Sequence, residues 1–133
     1  MHKVGHEIEN HTWSHPDLKN CNDVTVKSEI GLTQKAIIEA IGEAPKFLRP
    51  PYGSYEQRIN KMTDLRLAMW TVDTRDWEVL QTDAILQHVK EEDKPGAILL
   101  MHDIHQSCVN ALPAVMDYLV FEGYQFKTLK EIE

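Results

Sequence analysis

Two histidines four residues apart, in His11-Thr12-Trp13-Ser14-His15, can hold a single divalent metal ion. Imidazole nitrogen suits zinc, nickel or cobalt, and catalytic sites of this kind use three protein ligands and keep one position open. Two histidines leave one ligand to be found. Thr12 and Ser14 carry hydroxyls that can orient the pair, and Pro16 stops a helix from continuing, so the pair belongs on a loop. The bland alternative is a pair of surface histidines, and an isolated match at this spacing does not decide between them.

Three further clusters carry chemistry. His102 follows the apolar run Ala97-Ile98-Leu99-Leu100-Met101, which delivers it to a strand end with little freedom. Histidine is the commonest general acid or base, and Asp76 is a candidate partner to hold its imidazolium. Arg49 precedes Pro50-Pro51 on a stiffened, extended segment, where a guanidinium can clamp a carboxylate. Tyr52 can contribute a backbone N–H toward a developing oxyanion. Trp77 and Leu100 can form an apolar notch for a small group such as a methyl. Against these stand ordinary uses: a strand-end histidine, a solvated arginine and core packing of the apolar residues. Asp103 and His105 read as loop supports.

The elements that must position these residues alternate. Short apolar runs at residues 4–8, 47–48, 67–72, 97–101 and 124–129 read as strands. A first helix is expected over residues 24–41, capped by Asp23 or Thr25 and ended by Gly42, with Ile30, Ile37, Ile38 and Ile41 at helical spacing. A short helix is expected from Ser54, and another from Thr82 or Asp83 to Lys90. The last runs over residues 109–122, with Pro113 in its first turn, an apolar face of Leu112, Val115, Met116, Leu119 and Val120, and Gly123 as its stop. Such alternation implies an α/β fold with a parallel sheet, and pattern alone does not choose a barrel over an open sheet. The four clusters follow predicted strands, with 34 residues from His15 to Arg49, 27 from there to Asp76 and 26 on to His102. Each step accommodates one βα unit, so the clusters can converge on one rim.

Composition narrows the partners. The formal charge of −7, from 14 basic and 21 acidic residues, argues against nucleic acid and anionic membranes, which reward clustered Lys and Arg. A neutral or cationic polymer is compatible with it. Cys21 and Cys108 read as unpaired, and no apolar run reaches the length of a membrane span. Residues 1–4 do not resemble a signal peptide. Glu7, residues 91–93 and residues 130–133 read as solvated charge.

Taken in order, the clusters resemble the motifs of the polysaccharide deacetylase family, carbohydrate esterases with a NodB-like domain. His11-Thr12-Trp13-Ser14-His15 is similar to H-[ST]-x-x-H, and Arg49-Pro50-Pro51-Tyr52 to R-x-P-[YFW]. Asp73-Thr74-Arg75-Asp76-Trp77 is similar to D-x-x-D-W, and Leu100-Met101-His102 to L-x-H. The surrounding text resembles bacterial peptidoglycan N-acetylglucosamine deacetylases. The resemblance implies a distorted (β/α) barrel that binds zinc, or alternatively cobalt or nickel, through two histidines and one aspartate. It implies a metal-activated water that attacks the acetamide carbonyl of a polymer-borne N-acetyl sugar, peptidoglycan foremost, with a second aspartate as base. His11 and His15 would be metal ligands, and His102 the acid that protonates the leaving amine. Asp76 would tune His102, Arg49 would orient the base, and the Tyr52 N–H would stabilise the oxyanion. Trp77 and Leu100 would hold the acetyl methyl. Family members working on cell walls act outside the membrane, which implies an extracellular or cell-surface location.

Both family aspartates come from a first motif, approximately T-F-D-D-G, and no Asp-Asp occurs in the chain. Residues 1–133 are therefore expected to be the C-terminal two-thirds of a NodB homology domain, a partial barrel without its N-terminal βα units. Alone it should be inactive or weakly active. An exposed sheet edge would be covered by the missing segment or by self-association. The rival expectation is a non-catalytic glycan-binding or structural domain that keeps the rim without the chemistry, with Trp13, Trp77 and Tyr52 stacking on sugar rings.

Overall fold

The computed structural model describes residues 1–132. Glu133, read above as part of a solvated run, lies outside the described residues. The chain divides into two compact units, residues 1–69 and residues from 70 onward, each with its own core.

The first unit is built on helix α1, Asp23–Ile41. Its cap is Asn22, neither Asp23 nor Thr25: the Asn22 side chain accepts the Thr25 N–H at 2.9 Å. Asp23 is instead occupied by Arg58, at 2.6 Å. At the other end Gly42 adopts φ 76°, a left-handed conformation that glycine takes without a Cβ penalty, and its N–H bonds the Ile38 carbonyl at 2.8 Å. Val26 and Ile30, four residues apart, face the core with Leu18, Leu48 and Ile59; Ile38 stays largely exposed. Two short strands, β1 (Phe47–Leu48) and β2 (Arg66–Leu67), pair in parallel, and Asn10 adds a parallel bridge to Leu48.

Three local expectations fail here. Residues 4–8 form no strand: a 3₁₀ turn at His2–Val4 ends in Gly5 at φ 97°, and the chain joins the sheet only at Asn10. No helix starts at Ser54; 3₁₀ turns occupy Pro51–Gly53 and Ile59–Lys61. Glu7 is half-buried rather than solvated.

The second unit runs through β3 (Val72–Asp73), α2 (Asp76–Val79), α3 (Thr82–Glu92), β4 (Leu99–Leu100), α4 (Gln106–Phe121) and α5 (Leu129–Ile132). β3 and β4 are parallel neighbours. The apolar run at residues 67–72 is thus two strands. The Ala68 N–H bonds the Leu48 carbonyl, whereas the Thr71 and Val72 N–H groups bond that of Ile98, so each half has a different partner.

Helix α4 starts three residues earlier than periodicity suggests, because the His105 carbonyl accepts the Cys108 N–H at 3.1 Å and Cys108 is fully buried. Pro113 consequently lies inside the helix, not in its first turn. The buried stripe is Cys108, Ala111, Val115 and Leu119, whereas Leu112, Met116 and Val120 are exposed. α3 answers with Ile85 and Val89. Residues 124–129 are no strand: the Tyr124 N–H turns back to the Leu119 carbonyl, and the Glu131 carboxylate accepts both the N–H and the hydroxyl of Thr128 at the start of α5. No helix among the described residues is long and apolar enough to cross a membrane.

Candidate functional site

The histidine loop leaves the sheet at Asn10, whose main chain bonds Phe47 and Arg49 on β1 and the segment after it. Its side chain, 1% exposed, donates to the Ile30 carbonyl at 3.0 Å and to Gln34 at 2.9 Å, and accepts the Thr12 N–H at 3.0 Å. A buried amide with these contacts has few unmade bonds, so the start of the loop is pinned. Thr12 at φ 68° and His15 at φ 59° then take left-handed conformations, each costing about 1–3 kcal/mol for a residue with a side chain.

The His11 ring nitrogen Nδ1 donates to the Arg49 carbonyl at 2.6 Å. A carbonyl only accepts, so this bond puts the proton on Nδ1 and fixes the orientation of the ring. The His11 and His15 rings meet edge to face with centroids 4.9 Å apart, and Tyr52 flanks His15 at 4.8 Å. The Thr12 hydroxyl is buried without a hydrogen-bond partner, and Ser14 bonds Glu29.

Arg49 donates through Nε to the Ala68 carbonyl at 2.8 Å, and burial pushes its guanidinium below the ordinary arginine value. Among the described residues no carboxylate pairs with it. Buried Pro50 and Pro51 hold the following turn, and Tyr52, at φ 59°, is 72% exposed.

In the second unit the Asp76 carboxylate is 0% exposed at the start of α2. Its Oδ1 accepts from His102 Nδ1 at 2.7 Å, and its Oδ2 accepts the His102 backbone N–H at 2.6 Å. His102 is thereby held in one tautomer, with Nε2 left for proton transfer. Buried Thr74 ties β3 to β4 by donating to the Leu100 carbonyl at 2.8 Å, and the Cys108 thiol donates to the Asp76 carbonyl at 3.3 Å. Burial first, then the Asp76 charge, pushes that thiol's pKa up. Leu100 is buried in the strand, and Trp77 is half exposed.

Asn10, Glu29 and Thr74 were not singled out in the sequence. Asn10 has a local signal, as an amide before a tight loop. Glu29, fifteen residues from Ser14, has none.

The donors fit a divalent metal in kind: two imidazoles side by side, one of them oriented by a backbone carbonyl. They fall short in number, since among the described residues no three His, Cys, Asp or Glu side chains group to hold an ion.

The family model for polysaccharide deacetylase matches residues 1–70, more than half of the chain. The peptidoglycan-N-acetylglucosamine deacetylase PgdA of Listeria monocytogenes is 34% identical over 128 residues, 96% of this chain and 28% of that protein. The structure of the peptidoglycan deacetylase PdaC from Bacillus subtilis superposes with a TM-score of 0.96 at 31% identity, covering 99% of this chain and 65% of that one. BA3943 of Bacillus anthracis, a pseudoenzyme of carbohydrate esterase family 4, matches with a TM-score of 0.90 at 30% identity over 98% of this chain and 47% of that one. The chain belongs to the polysaccharide deacetylase family, and its fold is the mixed helix-and-strand architecture of these deacetylases.

Proposed function

We propose that these residues form part of a metal-dependent deacetylase that removes N-acetyl groups from N-acetylglucosamine units of peptidoglycan, outside the membrane. In this reading residues 1–133 are the C-terminal two-thirds of a NodB homology domain, a partial distorted (β/α) barrel. The chain spans 28% of the length of PgdA, so the whole protein's activity is inferred from relatives named for that activity.

Hydrolysis of the acetamide breaks its C–N bond, forms a C–O bond with water and places a proton on the leaving nitrogen. The Asp76–His102 pair carries the reading. Its buried carboxylate grips His102 by ring and main chain, aims Nε2 outward and stabilises the imidazolium that can deliver that proton. His11 and His15 would hold the metal. When bound, a divalent ion, zinc in the first place, supplies Lewis acidity to water and the acetamide carbonyl. The Tyr52 N–H would stabilise the developing oxyanion, and Trp77 and Leu100 would receive the acetyl methyl. The Arg49 guanidinium would orient a base carboxylate. That base and the third metal ligand would come from outside these residues, since the chain contains no Asp-Asp.

Acetate release from N-acetylglucosamine oligomers with zinc tests this reading. The chain alone should release little, and adding a segment that carries the T-F-D-D-G motif should raise turnover. A preparation free of longer species that matches a complete deacetylase would overturn the view of an incomplete site. One observation favours a second reading, a non-catalytic glycan-binding domain: the chain is also similar to a pseudoenzyme of the family. Glycan binding without hydrolysis after the segment is restored would select it.

A further inference from the structure

Three hydrogen bonds from the loop that carries both histidines end on one carboxylate. Glu29 Oε2 accepts the N–H groups of Trp13, at 2.9 Å, and Ser14, at 2.7 Å, while Oε1 accepts the Ser14 hydroxyl at 2.8 Å. The loop needs such a hold, because Thr12 and His15 sit in left-handed conformations that they would not keep alone. His11 has its own anchor in the Arg49 carbonyl. Among the described residues the His15 ring is flanked by those of His11 and Tyr52, and the peptide before it is bound by Glu29, so its place follows that peptide. The support behind Glu29 is firm. The next residue, Ile30, is in the core, and its carbonyl takes the Asn10 amide at the loop's start. One turn of α1 therefore grips the loop at both ends.

We propose that Glu29 is the positioning residue of the histidine loop, setting the His15 imidazole against that of His11 and so the affinity for a divalent cation. This rests on the reading of His11 and His15 as metal ligands. Glu29 acts through the loop and not as a ligand, because both of its oxygens are engaged by Trp13 and Ser14.

The test is a zinc titration of the full metal-free chain, followed by the His11 and His15 imidazole resonances, in the parent, Glu29→Ala, Glu29→Gln and His11→Ala. Removing a group that orients a ligand costs about 10–100-fold in metal affinity, the loss expected for Glu29→Ala. Glu29→Gln keeps length and shape but replaces one acceptor oxygen by an NH₂ group, so it should lose less while remaining folded. Before zinc is added, the Gln variant should shift the His15 ring signals and leave those of His11, held by Arg49, in place. A folded Glu29→Gln with parental His15 signals and a zinc affinity within about twofold of the parent overturns the proposal. If the parent binds no zinc, or His11→Ala binds as well as the parent, the metal reading is what fails. The metal-free His15 shift then decides the positioning claim by itself.

Discussion

The carboxylate of Asp76 holds His102 twice, by its ring nitrogen at 2.7 Å and by its backbone N–H at 2.6 Å. The first bond selects the tautomer, and the second sets the main chain from which the ring projects. Because Asp76 is 0% exposed, water does not compete for either bond.

Asp76→Asn should therefore disturb His102 without moving the strand. The carboxamide nitrogen cannot accept a hydrogen bond, so one of the two contacts is lost. Nitrogen shifts of the His102 ring, measured by NMR, should change from an Nδ1-protonated pattern to a mixed one. In the assembled enzyme kcat should fall about 10²–10⁴-fold with KM little changed. An unchanged tautomer would refute the assignment.

Asn10→Ala strands the Thr12 N–H and removes the donors to Ile30 and Gln34. Leaving a buried polar group unpaired costs about 1–3 kcal/mol, and that loss should appear in chemical denaturation of the chain. The same variant should deprotect the Thr12 amide against hydrogen exchange. A protected Thr12 amide would show that another acceptor takes it.

The Ser14 backbone N–H, foremost among the hydrogen bonds it accepts, holds the Glu29 carboxyl below the usual carboxylate range. A carboxyl whose folded pKa is lowered contributes stability that is complete above its unfolded pKa, about 4.3, and fades as pH falls through the folded value. The difference in thermal stability between the parent and Glu29→Gln should be constant above about pH 5.5 and shrink on acidification below that. A difference that grows on acidification would contradict the sign.

Pro113 lies in the interior of α4, where it cannot donate to the Val109 carbonyl. Pro113→Ala should restore that bond and raise the denaturation midpoint, with a gain of about 1–3 kcal/mol. No gain would mean that proline's restriction of the unfolded chain offsets the missing bond.

Family and residue types were readable from the sequence because four short motifs stand in order at βα spacing. Helices α1 and α3 were readable too: the stop at Gly42 and the start at Thr82 are local signals. What local signals could not give was the choice among competing partners. The run at residues 67–72 reads as one strand, yet Ala68 bonds Leu48 while Val72 bonds Ile98. Residues 124–129 alternate like a strand, yet the Tyr124 N–H turns back to Leu119 and the Glu131 carboxylate caps the Thr128 N–H at the start of a helix.

The histidine motif shows the same division. By itself the sequence determined that two imidazoles stand four residues apart on a loop, in a chain of this family. Only the tertiary structure decided what holds them: a carbonyl from Arg49 for His11, and a carboxylate from α1 for the peptide before His15. The physical reason is range. Residue type and spacing act over a few residues, whereas the acceptors that fix a ring or a strained loop come from positions 15 and 38 residues away, brought near by the core.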